Sequence, residues 1–399
     1  MREVATRLLR MTEVRVGLAI MLTFAIVAIY APFIVGEVAI AWRGDDGWSL
    51  PILADLFNKR SYSKPHDLLF NIIALALPAL IVLWLALRRW SAMRRLLLCF
   101  GLILAAWAGC WIPLIPTGNG MQAVWTERPF AAETSVDHRE RGSAAPAAIF
   151  PIVPHRFDST YIGVVLKSPS AINPATGAHF WLGTDTNGKD VLAQMVFGAR
   201  ISLTVGIFAT TLSMLIGILI GAASGYFGGW VDIVLQRIVE VMLCFPTFIL
   251  ILVVVAMLER NIFIIMTVIG LTGWAGTARL VRGEFLAQSV RDYVLAAEAL
   301  GLPRWRIMFR HILPNALTPL IISATFGIAG AVASESGLAF VGLGDVNSAS
   351  WGILMDEGRK NIAYGWLIWA PGIAVFAMIT ALNLIGNGLR EALDPKGQR

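Results

Sequence analysis

Residues 183–190, Gly183-Thr-Asp-Thr-Asn-Gly188-Lys189-Asp190, have the G-x-x-x-x-G-K spacing of a phosphate-cradling loop. Such a loop next needs a serine or threonine to hold magnesium, and Asp190 stands there instead. Asp185 places a second carboxylate inside the loop, where both would repel phosphate, and no apolar strand precedes it. The spacing therefore predicts a glycine-containing turn that leads into a helix. The five histidines, His66, His138, His155, His179 and His311, form no i, i+4 pair, and no cysteine joins them. Three of them fall within 116–202, which leaves a folded metal site open there, but surface or hydrogen-bonded histidines are the simpler account. Ser224 lies in Gly221-Ala-Ala-Ser224-Gly225, whose spacing is wrong for a nucleophile elbow. No catalytic residue, no metal site and no cofactor are expected on this chain.

Two other features carry more weight. Glu335, in Ala333-Ser334-Glu335-Ser336-Gly337, falls near the end of an apolar run, where a carboxylate is costly unless it is paired or faces water. It is either a pathway or gating residue or an interfacial carboxylate. The second feature is the arginine-rich stretch 283–315. Phe285, Leu286, Val290, Val294 and Ala297 recur at helical spacing, and Gly301-Leu302-Pro303 then breaks the helix. A second short helix is predicted from Arg304 to Leu313, ending at Pro314, with proline at 303 suited to its first turn. Ala296, Ala297, Ala299 and Gly301 would let another backbone approach closely, and Arg304, Arg306 and Arg310 add charge. The pattern alone fits a partner-docking knob and a plain amphipathic surface loop equally well.

The elements that must carry these residues are membrane spans. Of 399 residues, 57% are hydrophobic and only 15% charged, against about 25% in an ordinary soluble domain. This excludes a plain cytoplasmic enzyme, a disordered chain and a fibrous repeat, and it predicts an all-α polytopic membrane protein. Eight candidate spans lie near 16–35, 68–87, 96–115, 203–223, 242–258, 262–278, 317–339 and 366–386. The first is about 20 residues long, longer than the roughly 7–15 of a cleaved signal. It is therefore expected to stay as an anchor, although Ala39-Ile40-Ala41 resembles a cleavage site. The last five carry glycine and small residues, as packed bundles do.

With the N-terminus inside, the cytoplasmic pieces are 1–15, 88–95, 225–241, 279–310 and 387–399, and 18 of the 32 lysines and arginines fall in them. Their basic density is about twice that of the outside segments, as the positive-inside rule requires. Both termini are then cytoplasmic, and the net charge of +6 needs no nucleic acid to explain it. Cys99, Cys110 and Cys244 all lie in or beside apolar spans and are expected to be reduced. The expected divisions are 1–36 (N-terminus and anchor), 37–115 (external loop and a span pair), 116–200 (a long external proline-rich segment and its lead-in helix) and 201–395 (the main bundle).

Tyr293-Val-Leu-Ala-Ala-Glu-Ala-Leu-Gly301, followed by Ile312-Leu313-Pro314-Asn315, closely resembles the EAA loop of ABC importer permeases. Leu182 to Val191 with Gly198-Ala-Arg-Ile-Ser-Leu203 resembles the lead-in segment of the dipeptide/oligopeptide/nickel permease family, C-type subunit. So do Gly225-Tyr-Phe-Gly-Gly229, Ala278-Arg-Leu-Val-Arg282, Glu335-Ser-Gly-Leu-Ala-Phe-Val-Gly-Leu-Gly344 and Gly388-Leu-Arg-Glu-Ala-Leu-Asp-Pro395. These six ordered blocks are spread over roughly 180–395, about half the chain. Trp42 to Pro51 resembles the extracytoplasmic insert of the branch linked to microcin C and larger peptides.

The resemblance implies a type I ABC importer transmembrane domain of about eight spans: a five-helix core, the anchor, and an inserted pair that the family does not usually carry. It implies that 283–315 forms coupling helices, so that Ala296, Ala297, Glu298, Gly301, Pro303, Arg304, Arg306, Arg310 and Pro314 would meet an ATPase. It further implies a B-type second permease, one or two cytoplasmic ABC ATPases that hold the ATP and magnesium, an external solute-binding protein, and a place in the bacterial inner membrane. Peptide import by alternating access is the expectation. A permease for nickel or another small solute and an ion-coupled secondary transporter are the alternatives. The chain departs from the family pattern at Leu295, where the loop's glutamate is expected, at Lys189 in place of arginine, and at Asn387 and Glu391, where aspartate is common.

Overall fold

The computed structural model describes residues 6–44, 47–117, 120–127, 148–174 and 177–393. The helices that carry the spans and the candidate site are, in chain order, α1 (Thr12–Ile29), α2 (Pro65–Ala86), α3 (Ala92–Gly109), α4 (Val191–Phe227), α5 (Gly229–Cys244), α6 (Thr247–Met257), α7 (Ile262–Ser289), α8 (Asp292–Ala299), α9 (Leu313–Leu338), α10 (Trp351–Lys360) and α11 (Trp366–Leu393). Among the described residues, seven helices are long and apolar enough to cross a membrane, or eight if the bent pair α5–α6 counts as one span. The expected span near 242–258 is thus not straight. Phe245-Pro246 interrupts it, because proline supplies no N–H for the ladder, and the two halves meet at 81°.

The chain forms two compact units, Ala25–Arg200 and Met1–Phe24 with Ile201–Arg399. In the first, α2 and α3 form a hairpin. Leu68 and Ile72 of α2 pack with Cys110 and Trp125, while Trp107 donates to the Pro65 carbonyl at 3.1 Å. Short antiparallel strands join Ala41–Gly44 to Gly47–Ser49 and to Ala148–Ile149, and Pro113–Thr117 pairs with Gly120–Ala123. Asp55 accepts from Ser61 Oγ at 2.5 Å, and burial pushes its carboxyl above the usual range despite that bond and the nearby Arg156.

The same unit holds a buried guanidinium. Arg200 is wholly buried. Its Nε donates to the Ala28 carbonyl at 2.7 Å, one terminal nitrogen to Asp67 Oδ1 at 3.3 Å, and the other to Asn71 Oδ1 at 2.8 Å and the Ile29 carbonyl at 3.3 Å. The planar five-donor fork is what allows one side chain to bind partners from the end of α1 and the start of α2.

In the second unit, α1 packs on α11: a Cβ on Gly17 would fall 2.8 Å from the Ala381 carbonyl. A glycine ridge, Gly217, Gly221 and Gly225, lies at i, i+4, i+8 on α4 and seats against α7. Added Cβ atoms there would meet Thr277 Cβ at 2.6 Å, the Ala278 carbonyl together with Val281 Cβ at 2.7 Å, and Phe285 Cβ at 2.7 Å. Small residues at four-residue spacing allow two helices to pack backbone to backbone where lipid supplies no hydrophobic drive. Gly221→Val is therefore expected to destabilise the purified chain by about 2 kcal/mol through overpacking. Thermal unfolding in detergent checks this, and an unchanged midpoint would contradict the packing.

Candidate functional site

The arginine-rich segment differs from its expected form in two places. The first helix does not run unbroken to residue 300: α7 ends at Ser289, and a break at Val290–Arg291 re-aims the chain into α8. The second helix does not end at Pro314 either. Arg304–Arg306 leads through a wide π-turn, Ile307–Ile312, directly into α9. Pro314 directly follows the π-turn, a local adjustment of the kind that tolerates a residue without an N–H in a continuing helix. Between α8 and Arg304, Gly301 takes φ +71°, the left-handed conformation that ends a helix cheaply only at glycine.

The result is an elbow with two faces. Val294, Ala297, Ile307, Met308 and Ile312 point inward and share one buried cluster with Ala222 of α4, Val281 and Phe285 of α7, and Ala316 and Leu320 of α9. Ala296, Glu298, Gly301, Pro303, Arg304, Arg306, Arg310 and Pro314 are exposed, as are Leu295, Leu300 and Trp305 between them. Of the coupling residues expected from sequence, only Ala297 is inside, and the others form an outer surface with apolar and cationic groups interleaved. Tyr226 Oη donates to Glu298 Oε1 at 3.1 Å, tying the end of α4 to α8.

Directly beside this root, three helices meet on a charge pair that sequence reading did not find. Arg282 grips Asp232 with a two-pronged contact, Nε–Oδ1 and Nη2–Oδ2 both 2.6 Å. Ser224 Oγ donates to Asp232 and accepts from Gln236 Nε2 at 2.9 Å. Ser224 is thus a link between α4 and α5. Arg282 had a signal, since it closes the Ala278–Arg282 block. Asp232 had none.

Between the spans lies a cavity of about 410 Å³. Thr210, Ser213, Thr247, Thr277, Ser323 and Ser334 line it with hydroxyls, alongside Met214, Ile251, Ile269 and Phe326. No lysine, arginine, aspartate, glutamate, histidine or cysteine is among its described lining residues. Thr210 Oγ1 is buried with no hydrogen-bond partner among the described residues. Such a hydroxyl costs free energy unless something bonds to it. Glu335 is not in the cavity wall. It is 2% exposed and accepts from Ser350 Oγ at 2.6 Å and Ser336 Oγ at 3.3 Å, so it joins the end of α9 to the start of α10.

The 183–190 loop is closed by its own carboxylates. Asp185 accepts from the Asn187 and Lys189 amides and from Gln194 Nε2, each at 2.8 Å. Asp190 caps α4 through the Ala193 amide at 3.1 Å and holds His155 Nδ1 at 2.7 Å. His155 is stacked on Phe180 and fully buried. Among the described residues no group of histidine, cysteine and acidic side chains could hold a metal ion, and His138 lies outside them.

Residues 213–398 match the family described as "Binding-protein-dependent transport system inner membrane component". The chain is similar to the dipeptide transport system permease protein DppC of Alkalihalophilus pseudofirmus, 36% identical over 231 residues, 57% of this chain and 76% of that one. It is similar to the oligopeptide transport system permease protein OppC of Haemophilus influenzae, 38% identical over 247 residues, 61% of this chain and 79% of that one. It is also similar to the peptidoglycan transport system permease protein YejE of Agrobacterium fabrum, 37% identical over 217 residues, 54% of this chain and 57% of that one.

Proposed function

The chain belongs to the family of binding-protein-dependent transport system inner membrane components, as a multi-pass permease subunit, and from that premise we propose that its solute is a peptide driven inward by ATP. The observation that carries the mechanism is the elbow, whose outer surface is exposed and whose inner surface shares one cluster with three helices of the bundle. A cytoplasmic ATPase that seats on Glu298, Arg304 and their neighbours would move α4, α7 and α9 as it opens and closes. Packed side chains transmit such displacement because the cluster has no slack. This chain forms and breaks no bond, and ATP hydrolysis belongs to the ATPase partner. A second permease completes the pathway, and an external binding protein delivers solute to the outer mouth, with both termini of this chain cytoplasmic.

The cavity favours a peptide over the alternatives. Neutral hydroxyls can donate to and accept from amide groups without selecting one side chain, which suits solutes that share a backbone and differ elsewhere. Nickel would need imidazole, thiolate or carboxylate ligands, and the described wall has none. An ion-coupled transporter would need an ionisable residue there, and Glu335 is turned away into its serines.

Gly330 lines the cavity, and a Cβ there meets nothing within 4 Å. Gly330→Phe is expected to fill the cavity and lower peptide uptake about tenfold or more, while ATP hydrolysis by the assembled complex persists. Uptake and hydrolysis measured together in proteoliposomes check this. Normal uptake by the correctly inserted variant would show that solute does not pass here.

A further inference from the structure

The α2–α3 hairpin lies outside the family match at 213–398 and has a surface the family role does not use. Its helices have 22 and 18 residues, about 33 and 27 Å at 1.5 Å per residue, which bracket the thickness of a hydrocarbon core, about 30 Å. The turn that joins them therefore lies at a membrane–water interface. No residue of α3 is buried, and Ile81, Val82 and Leu85 of α2 with Leu96, Leu97 and Phe100 of α3 are exposed.

The turn carries four arginines in eight residues, Arg88, Arg89, Arg94 and Arg95. The first three are exposed. Arg95 lies over the Trp84 ring at 4.4 Å and donates to the Trp84 carbonyl at 3.3 Å, which fixes its guanidinium near the tip. Trp90 is half exposed beside them. None of the four forms an ion pair among the described residues. The chain itself supplies no local counter-charge: between Asp67 and Glu127 it contains no carboxylate at all.

We propose that this tip binds an anionic phospholipid, its phosphate gripped by the arginines at 88–95 and its acyl chains lying on the uncovered faces of α2 and α3. Arginine presents paired donors that match phosphate oxygens. Tryptophan is the side chain that settles at headgroup depth. Because the adjoining apolar faces lie in the bilayer, a phospholipid brings its phosphate to the arginines at headgroup depth with its chains already seated on those faces, an anchor a soluble acidic partner lacks.

Native mass spectrometry of the full chain, purified with its partner subunits, tests this with phosphatidylglycerol and phosphatidylcholine of identical acyl chains. Wild type is expected to retain phosphatidylglycerol over phosphatidylcholine by about tenfold or more. The quadruple variant R88Q/R89Q/R94Q/R95Q should bring the two lipids to near parity. The corresponding four-lysine variant should keep most of the preference, and R237Q, at an arginine paired with Glu240 elsewhere, should keep all of it. Equal retention by wild type would overturn the proposal, as would a preference that survives the glutamine variant or is lost equally in R237Q. Full competition by glycerol 3-phosphate, which has no acyl chain, would also overturn it by showing that the tip takes a soluble phosphate rather than a lipid.

Discussion

Gly301→Trp is expected to lower solute uptake about 100-fold or more, while the chain still inserts and folds. From sequence, a bulky side chain here would be expected to jam the turn between two helices. The structure gives a different cause: nothing lies within 4 Å of a Cβ at this position. Two effects then separate. Any side chain at φ +71° bears the left-handed backbone cost, about 1 kcal/mol, which a bundle this size absorbs. Only a large one would stand out from the exposed face that also carries Leu300 and Trp305, where the proposed ATPase would seat. Gly301→Ala should therefore retain most uptake and Gly301→Trp almost none, and co-purification of the ATPase should fall only for tryptophan. Ordinary uptake by an inserted Gly301→Trp chain would remove the elbow from the coupling path.

Arg200→Met is expected to remove most of the folded chain. The substitution fits the volume of the stem but leaves Asp67, Asn71 and the Ala28 and Ile29 carbonyls without the donor that joins them. Removing one partner of a buried ion pair costs about 3–5 kcal/mol, because the remaining charge stays desolvated. Membrane yield should drop sharply, and what survives should melt well below wild type. Arg200→Met with Asp67→Asn removes the stranded charge and should regain part of the loss, a coupling that a double-mutant cycle reads directly. If Arg200→Met were as stable as wild type, the guanidinium would not be what joins α1 to α2.

Some of this was legible in the sequence and some was not, for physical reasons. Apolar runs of about 20 residues report membrane spans because the bilayer fixes their length, and α1, α2, α3, α7 and α11 begin close to where hydropathy puts them, although α7 and α11 run on past the apolar part. The bend at Phe245-Pro246 was hidden because the run 242–258 crosses it without a charged residue to mark where one helix ends and the next begins. Pro314 reads as a stop, yet the π-turn before it carries the chain on into α9. Gly217, Gly221 and Gly225 did have a signal in their four-residue spacing. The partners of Arg200, by contrast, lie more than 120 residues away in sequence, and no local pattern reports such a contact. The cavity hydroxyls are hidden for another reason: a threonine in an apolar helix most often bonds its own backbone, as Thr272 does to the Val268 carbonyl at 2.9 Å, so its type does not say that it faces a pathway.

Uptake of a labelled oligopeptide into proteoliposomes separates the ATP-driven reading from its rival most directly. One preparation holds the chain with its co-purified permease and ATPase partners and binding protein, and the other holds the chain alone under a proton or sodium gradient. Accumulation is expected only in the first, only with hydrolysable ATP, and not with Gly301→Trp. Gradient-driven accumulation by the chain alone, without ATP or partners, would contradict it.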